Sequence, residues 1–212
     1  MDDPGLYATI FRRRDVRGQF SRDPLADETL AKVLAAAHAA PSVGLSQPWD
    51  FVVVRDVATR ERFRAHVMEQ RQEFADSLAD ERSERFAGIK IEGILEAACG
   101  VVVTYDSSRG APGVLGRHAI ADAGLYSVCL AIENLWLAAT AEGLGVGWVS
   151  FYREEWLAAL LGVPGGVRPV AWLCVGPVTH LEGTPDLEAA GWRSRLELAE
   201  VCHSEAWGTR LG

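Results

Sequence analysis

The sequence of 212 residues predicts a single α+β domain, in which a small mixed sheet and flanking helices pack around one central apolar helix. Four short apolar runs have the length of strands and alternate with segments of helical periodicity, but not in regular βαβ repeats. Another apolar run, from Ala119 to about Glu142, is too long for a strand and predicts the central helix. No internal repeat or linker divides the chain, so we expect residues 1–212 to form one domain.

Composition and charge exclude several classes of protein. With 49% hydrophobic and 24% charged residues, the chain has enough apolar material for a folded core without disulfides. Its 21 basic and 29 acidic residues give a net charge of −8, which does not favour nucleic acid as a partner. The four cysteines show no C-x-x-C spacing, so we expect free thiols and no metal site. The acidic start Met1–Pro4 lacks the features of a secretory signal, and we expect a cytoplasmic protein.

The N-terminal quarter of the chain predicts two helices and a strand. Apolar residues at helical spacing indicate a short helix over Leu6–Arg12 that runs into a basic cluster. A second helix is predicted from Asp27 to about Ala39, because acids at its start favour the helix dipole and a proline follows its end. The stretch Pro41–Pro48 reads as a loop, and Phe51–Val54 as a buried strand.

The middle of the chain begins with a highly charged stretch. Residues from Val57 to about Arg85 have few apolar side chains and predict one or two exposed helices, with a mobile flap as the alternative. A further helix is predicted from Ile89 to Ala98, followed by a second strand at Val101–Tyr105. The Ser-, Gly- and Pro-rich residues Asp106–Gly116 predict a loop of the kind that often borders a site.

The central apolar run is long enough to cross a membrane, but its composition favours a core helix. Asp122, Glu133 and Asn134 interrupt the run, and its flanks carry no anchoring pattern. We therefore expect a buried helix and no membrane partner.

The C-terminal third predicts the last two strands and one helix. The strands are expected at Val146–Phe151 and Val170–Val175, and the helix between them at Glu154–Leu161, where two acids stand at its start. The tail from Pro177 to Gly212 mixes Gly, Arg and Trp and is expected to wrap the surface or a partner subunit.

A basic cluster at residues 12–17 interrupts the otherwise acidic sequence. Arginine binds phosphate through two parallel hydrogen bonds, so the cluster predicts a site for a small phosphorylated ligand, with Arg193 and Arg195 as a second source of positive charge. A solvated helix end is the alternative interpretation. Asp15 lies inside the cluster, and its neighbours should keep it ionised. Spacing alone leaves open either a structural salt bridge or a carboxylate that accepts a proton from a ligand.

Three glycines at residues 143–147 form a second pattern. They follow a helix and precede a strand, which is the reverse of the dinucleotide-binding order. We interpret them as a tight turn that allows a close backbone approach near Trp148–Ser150. Ser150 itself lacks the flanking glycines and nearby histidine of a hydrolase nucleophile.

Two motifs carry a resemblance to a known family. The segment Arg13-Arg14-Asp15-Val16-Arg17 is similar to an Arg-Arg-Ser-x-Arg motif that follows the first helix in that family, and Ala40–Trp49 closely matches its Ala-Pro-Ser-x-x-x-Ser-Gln-Pro-Trp loop. The strand, the central helix and the glycine-rich turn follow in the same order over nearly the whole chain. The sequence therefore resembles the FMN-dependent nitroreductase superfamily. This resemblance implies a nitroreductase-like fold and an obligate homodimer with FMN at its interface.

The resemblance also implies a role for each matching residue. The residues expected to contact FMN are Arg13, Arg14, Asp15, Val16, Arg17, Ser42, Gln47, Lys90, Val149, Ser150, Arg193 and Arg195. The arginines would hold the phosphate and the ribityl chain, and Ser42 and Gln47 would reach the flavin of the same or the partner subunit. The backbone of Val149 and Ser150 would face the N5/O4 edge of the isoalloxazine, and Lys90 would lie near the pyrimidine ring.

Within the superfamily the sequence is most similar to the flavin-fragmenting branch. Asp15 stands where other members usually have Ser, and Lys90–Ile94, Gly147–Phe151 and Leu187–Leu196 add to the similarity. This implies cleavage of reduced FMN with O2 to 5,6-dimethylbenzimidazole, the lower ligand of vitamin B12, and a four-carbon sugar phosphate. NAD(P)H would act only through a separate flavin reductase. The expected catalytic residues are Asp15 as general base and Ser150 as a hydrogen-bonding group near N5.

Two other functions remain open at this point. A conventional NAD(P)H-dependent FMN nitroreductase or quinone reductase would share the fold and most of the site. A flavin carrier without catalysis would bind FMN but would leave Asp15 and Ser150 without a purpose.

Overall fold

The computed structural model describes residues 5–211, so the acidic start Met1–Pro4 lies outside the described residues. The elements in chain order are α1 (Leu6–Arg12), α2 (Asp27–His38), a 3-10 turn (Val43–Leu45), β1 (Trp49–Val54), α3 (Val57–Asp76), α4 (Asp80–Ala87), β2 (Cys99–Asp106), α5 (Ala123–Ala141), β3 (Leu144–Val149), α6 (Glu154–Leu161), β4 (Val167–Pro177), α7 (Asp186–Ala189) and α8 (Leu198–Val201). The predicted four strands and the alternation with helices are confirmed. The charged stretch after β1 forms two helices, α3 and α4.

The sheet has the strand order β1-β2-β4-β3, and every neighbouring pair of strands is antiparallel. The prediction of a mixed sheet is therefore wrong for these strands. The strands β2 and β3, which precede and follow α5 along the chain, run in the same direction. In the sheet β4 lies between them and runs opposite to both. A single bridge between Asp15 and Val146 adds a parallel pairing at the free edge of β3.

The core lies on both faces of the sheet, because successive residues of a strand point to opposite sides. Val101 and Val103 of β2 belong to the apolar cluster that contains α2 and α5. Val102 belongs to the other cluster, where Trp172 stacks on Phe63 of α3 with ring centroids 3.9 Å apart. The burial of both faces explains why the strands read as continuous apolar runs rather than as alternating ones.

The central helix α5 begins at Ala123, four residues later than predicted, after a series of turns. It packs against α2 and the sheet, as expected for a core helix. Within one chain part of its surface is open, since Tyr126 is 56% and Leu130 is 48% exposed. By length and composition alone α5 could also cross a membrane, and half of it is buried inside the protein.

The predicted helix from Ile89 to Ala98 is wrong, because this segment is irregular in the structure. Its isoleucines are buried, and the buried Glu92 carboxylate accepts a hydrogen bond from the Ile94 N–H at 2.7 Å. A Cβ atom at Gly93 would lie 2.5 Å from the Arg17 carbonyl oxygen. Contact with a distant segment, rather than local periodicity, thus decides the path of the chain here.

The tail after β4 lies along the surface of its own chain over residues 183–191. The Arg14 guanidinium donates to the Gly183 carbonyl at 2.5 Å, and the Arg85 guanidinium donates to the Gly191 carbonyl at 2.9 Å. Further along, the tail exposes apolar side chains, and Trp207 is 91% exposed.

Candidate functional site

The basic segment after α1 extends the sheet at the free edge of β3. The Val16 N–H donates to the Val146 carbonyl at 2.9 Å, and Asp15 Oδ1 accepts from the Trp148 N–H at 2.9 Å. A Cβ atom at Gly147 would lie only 2.0 Å from the Val16 carbonyl oxygen. The glycine-rich turn therefore serves the close backbone approach that the sequence indicated, and the approaching partner is the arginine segment.

Asp15 is held between a cation and a backbone donor. Its Oδ2 forms an ion pair with the Arg17 guanidinium, while its other oxygen faces Trp148. Burial nevertheless raises the pKa of Asp15 above its ordinary value, because desolvation outweighs the opposing effects of Arg17 and the Trp148 N–H. The neighbouring cations do favour the ionised form of Asp15, as the sequence predicts, but burial shifts the pKa of this carboxyl in the opposite direction. A carboxylate with a raised pKa is better suited to accepting a proton than an ordinary one.

The other two motif arginines, Arg13 and Arg14, differ in how many of their guanidinium donors are already hydrogen-bonded. Arg14 donates to the carbonyl oxygens of Phe11, Arg13 and Gly183, but its buried Nε has no hydrogen-bond partner. The Arg13 guanidinium lies 5.0 Å from the ring centroid of Trp136 and 3.8 Å from the carboxylate of Glu133, which is half exposed. Both guanidinium groups retain donors for an anion, so this segment fits a phosphorylated ligand.

A cavity of about 200 Å³ adjoins the Asp15 segment. Arg17, Trp148 and Ser150 line one part of it, and Ser150 lies one residue beyond the end of β3. The remaining lining is aromatic or aliphatic and comes from α3, α4, the segment after α4, the segment after β3 and the tail: Phe74, Phe86, Ile89, Ile91, Phe151, Leu187 and Trp192. The cavity therefore places a hydroxyl and a guanidinium beside a mostly apolar chamber.

The loop with Ser42 and Gln47 is held in a strained conformation. Leu45 and Gln47 adopt φ angles of 52° and 43°, which L-residues rarely adopt, and the Ser42 hydroxyl accepts from the Gln47 N–H at 3.0 Å. Arg109 braces the end of the loop by donating to the Gln47 carbonyl at 3.2 Å and the Trp49 carbonyl at 2.7 Å.

This loop does not join the Asp15 segment within one chain. The loop is fixed to α5 by the hydrogen bond from the Val43 N–H to Ser127, whereas the Arg14 carbonyl accepts from Trp136 on the same helix. Trp136 lies nine positions after Ser127, which corresponds to roughly 14 Å of helix. Two parts of the predicted flavin site therefore lie near different ends of α5.

Three other predicted contacts lie at the periphery. Lys90 is half exposed and forms an ion pair with Glu96, although its stem lies 3.8 Å from where a Cβ of Gly18 would be. Arg193 and Arg195 are exposed, and in residues 5–211 no recorded hydrogen bond or ion pair joins their side chains to the basic cluster. Val149, in contrast, is buried at the end of β3, as expected from its strand.

Sequence reasoning missed the residues that the tertiary fold brings to the site. Asp186 lies 4.0 Å from Arg17, and Phe74 and Phe86 line the cavity, although they are far from residue 15 in sequence. Arg109 belongs to a loop that was expected near a site, but nothing in its local sequence identifies it as a brace. Among residues 5–211 no group of His, Cys, Asp and Glu side chains could hold a metal ion.

Comparisons with known proteins agree with the geometry. The model of the nitroreductase family matches residues 10–177. A 5,6-dimethylbenzimidazole synthase of Rhodospirillum rubrum is 41% identical over 191 residues, which covers 90% of each chain. A second protein of that name, from Rhodobacter capsulatus, is 35% identical over 87% of this chain and 88% of its own. The crystal structure of a BluB-like flavoprotein from Clostridium difficile 630 has 26% identity and a TM-score of 0.72, covering 95% of this chain and 99% of its own.

Proposed function

Because this chain belongs to the nitroreductase family, we propose that it performs the reaction for which its relatives in Rhodospirillum rubrum and Rhodobacter capsulatus are named. It is a 5,6-dimethylbenzimidazole synthase, a flavoenzyme that fragments reduced FMN with O2 into 5,6-dimethylbenzimidazole and a four-carbon sugar phosphate. The observation that carries this proposal is the position of Asp15. Its partly exposed carboxylate bridges Arg17 and the Trp148 N–H, two residues before Ser150 and beside an apolar cavity.

The residues present fit a flavin phosphate. The unpartnered, buried Nε of Arg14 and the incompletely engaged Arg13 supply donors for a phosphate dianion. Two more donors, Arg193 and Arg195, are exposed and can approach the same anion from the tail. When bound, reduced FMN supplies the electrons that reduce O2 and is itself the molecule that is cleaved.

Asp15 and Ser150 then have separate roles in steering the reaction. Asp15 acts as general base on the ribityl hydroxyls or amine protons, for which its raised pKa and its place beside the basic cluster suit it. Ser150 hydrogen-bonds near N5, with the backbone of Val149 at the same edge of the ring. The apolar cavity beside Ser150 excludes water from the reacting atoms. The helices α3 and α4, which contribute part of its wall, act as a lid.

The active form is a homodimer in which Ser42 and Gln47 reach the flavin held by the partner's arginine segment. The separation of the two regions along α5 supports this arrangement, and so does an exposed apolar surface on α1 and α5. Its members are Leu6, Tyr7, Ile10, Phe11, Tyr126 and Leu130. Sedimentation should show a dimer that Leu130→Asp dissociates and that Val57→Asp, at an exposed apolar position on α3, leaves intact.

The reaction is tested by incubating the purified protein with FMN, NADPH and a separate flavin reductase in air. We expect 5,6-dimethylbenzimidazole by mass spectrometry, and none when O2 or the reductase is omitted. The requirements for O2 and for a separate flavin reductase are both part of the proposal. A cytoplasmic location is proposed as well. Consumption of NADPH with a nitroaromatic substrate and survival of the flavin would instead identify a conventional nitroreductase. Tight FMN binding with neither reaction would identify a carrier.

A further inference from the structure

The short helix α7 of the tail is fixed at both of its ends, to the basic segment at one end and to α4 at the other. Arg14 donates to the Gly183 carbonyl before the helix, and Arg85 donates to the Gly191 carbonyl after it. The Trp192 N–H also returns to the Leu187 carbonyl at 2.8 Å, which closes the turn that follows α7. The first residue of α7, Asp186, is thereby held near Arg17 although 169 positions separate them in sequence.

Arg17 lies between two carboxylates. One nitrogen of its guanidinium pairs with Asp15, and the other lies 4.0 Å from Asp186 Oδ2. The Arg17 side chain is only 14% exposed, so these charges interact through protein more than through water. Two other titratable groups interact electrostatically with Asp15: Arg13 on its own segment and the Cys174 thiol on β4. Two carboxylates therefore share the Arg17 guanidinium.

We propose that Asp186 is a positioning residue for the reaction at Asp15. Its negative charge partly offsets the positive charge of Arg17, so Arg17 stabilises the ionised form of Asp15 less than it would alone. This inference rests on the proposed function of Asp15 as a general base. The direction of the effect follows from electrostatics alone, since a second anion beside a shared cation disfavours the ionised form of the first. In agreement, the nearby charge of Asp186 adds to burial in raising the pKa of Asp15.

Loss of the Asp186 charge should change the titration of Asp15, which a merely structural role for Asp186 would not do. With Asp186→Asn, the Arg17 charge acts on Asp15 alone, and the Asp15 carboxyl should release its proton at lower pH. We expect a downward shift of about half a pH unit in its titration midpoint, the size typical of a charge a few ångströms away in a partly solvated site. Asp186→Glu, which retains the charge, should restore most of the original midpoint.

The titration is measured on the purified protein before FMN is added, by ¹³C NMR of labelled Asp carboxyl groups. The Asp15 signal is assigned by its absence in Asp15→Asn. Glu188→Gln on the same helix is the matched control, since it removes one negative charge two residues from Asp186. We expect the Asp15 midpoint to move in Asp186→Asn and to stay within about 0.2 pH units of wild type in Glu188→Gln.

The same variants are then compared in single turnovers, with chemically reduced FMN mixed into air-saturated buffer across a range of pH. The acid limb of the product-formation profile should move down with the NMR midpoint in Asp186→Asn only. An unchanged NMR midpoint overturns the inference whatever the product assay shows. A shifted midpoint with an unshifted profile overturns the role in the reaction. If wild type forms no product, the proposed function fails, while the NMR result still decides whether Asp186 shares Arg17.

Discussion

The two segments expected to contact the flavin are built in different ways. The Asp15 segment is joined to β3 through a backbone hydrogen bond at Val16, a carboxylate bond to Trp148 and the absence of a side chain at Gly147. The Ser42–Gln47 loop is held at the surface, where the Arg109 side chain spans its end and two non-glycine residues have positive φ angles. One segment is thus part of the sheet, and the other depends on a brace.

This difference suits the Asp15 segment to catalysis and the Ser42–Gln47 loop to contact with a second subunit. A segment that shares hydrogen bonds with a strand holds its side chains within narrow limits, as a general base requires. A braced surface loop with strained residues can be displaced by a single substitution, and its neighbouring Leu45 and Leu115 are almost fully exposed, as expected where a second subunit docks. Changes in the first segment should therefore affect catalysis or folding, and changes in the second should affect FMN affinity.

The largest effect is expected from Asp15→Asn. The amide can still accept the Trp148 N–H, but it cannot take a proton, so product formation should fall by at least about 100-fold. FMN binding, measured by quenching of flavin fluorescence, should change little because the arginines remain. Product formation at the wild-type rate would mean that Asp15 is only a structural link between Arg17 and β3.

Gly147→Ala should have the next largest effect, on folding rather than on chemistry. The added Cβ would lie 2.0 Å from the Val16 carbonyl, so the Asp15 segment or β3 must move. We expect a loss of about 2 to 3 kcal/mol in the free energy of unfolding, measured by urea denaturation. Gly165→Ala is the control, because nothing lies within 4 Å of its Cβ position, and its effect should stay within about 0.5 kcal/mol.

Much of this architecture is predictable from the sequence because local patterns determine it. The helix Glu154–Leu161 appears with the predicted bounds, and each of the four strands lies where its apolar run predicted, with shifts of a few residues. The segment after α4 is the exception, since the contact of Gly93 with Arg17 overrides a helical pattern. Strand direction was also mistaken, because the insertion of β4 between β2 and β3 depends on which edges meet in the folded chain.

The candidate site is predictable only in the part that is contiguous in sequence. The motif around Asp15 and Arg17 and the turn before Ser150 could be identified from residue types and spacing. Asp186 and the aromatic cavity wall could not, since they reach Arg17 through the packing of the tail and of α4. The raised pKa of Asp15 was likewise missed, because desolvation depends on burial and outweighs the arginines that the sequence shows.

A smaller effect, confined to the braced loop, is expected from Arg109→Ala. The substitution removes the bonds to the Gln47 and Trp49 carbonyls and the bonds from one guanidinium nitrogen to both carboxylate oxygens of Asp50, at 2.8 and 2.7 Å. Because Arg109 is about one-third exposed, we expect a stability loss of about 1 kcal/mol, with clearly weaker FMN binding. The pH profile of product formation at saturating FMN should be unchanged.

Arg168→Ala is the matched control for this loop, since Arg168 makes a bidentate pair with Glu154 at 2.6 and 2.9 Å and has no recorded contact with residues 42–47. It should leave FMN affinity at the wild-type level. Equal losses of FMN affinity in both variants would show that the brace has no specific role, and the contrast between the two segments would then fail.

The smallest effect concerns the pH dependence of stability. The folded-state pKa of Asp15 is raised, so its contribution to the free energy of unfolding is fully present below the ordinary Asp pKa of about 3.9 and is lost as pH rises through the folded value. Wild type should therefore lose stability relative to Asp15→Asn above about pH 4, by at most about 1.4 kcal/mol per pH unit. Urea denaturation of both proteins at equal concentration from pH 4 to 7 measures this difference. The opposite slope would mean that Arg17 and the Trp148 N–H outweigh desolvation, and Asp15 would then be an anchored anion of the sheet edge rather than a site for a proton.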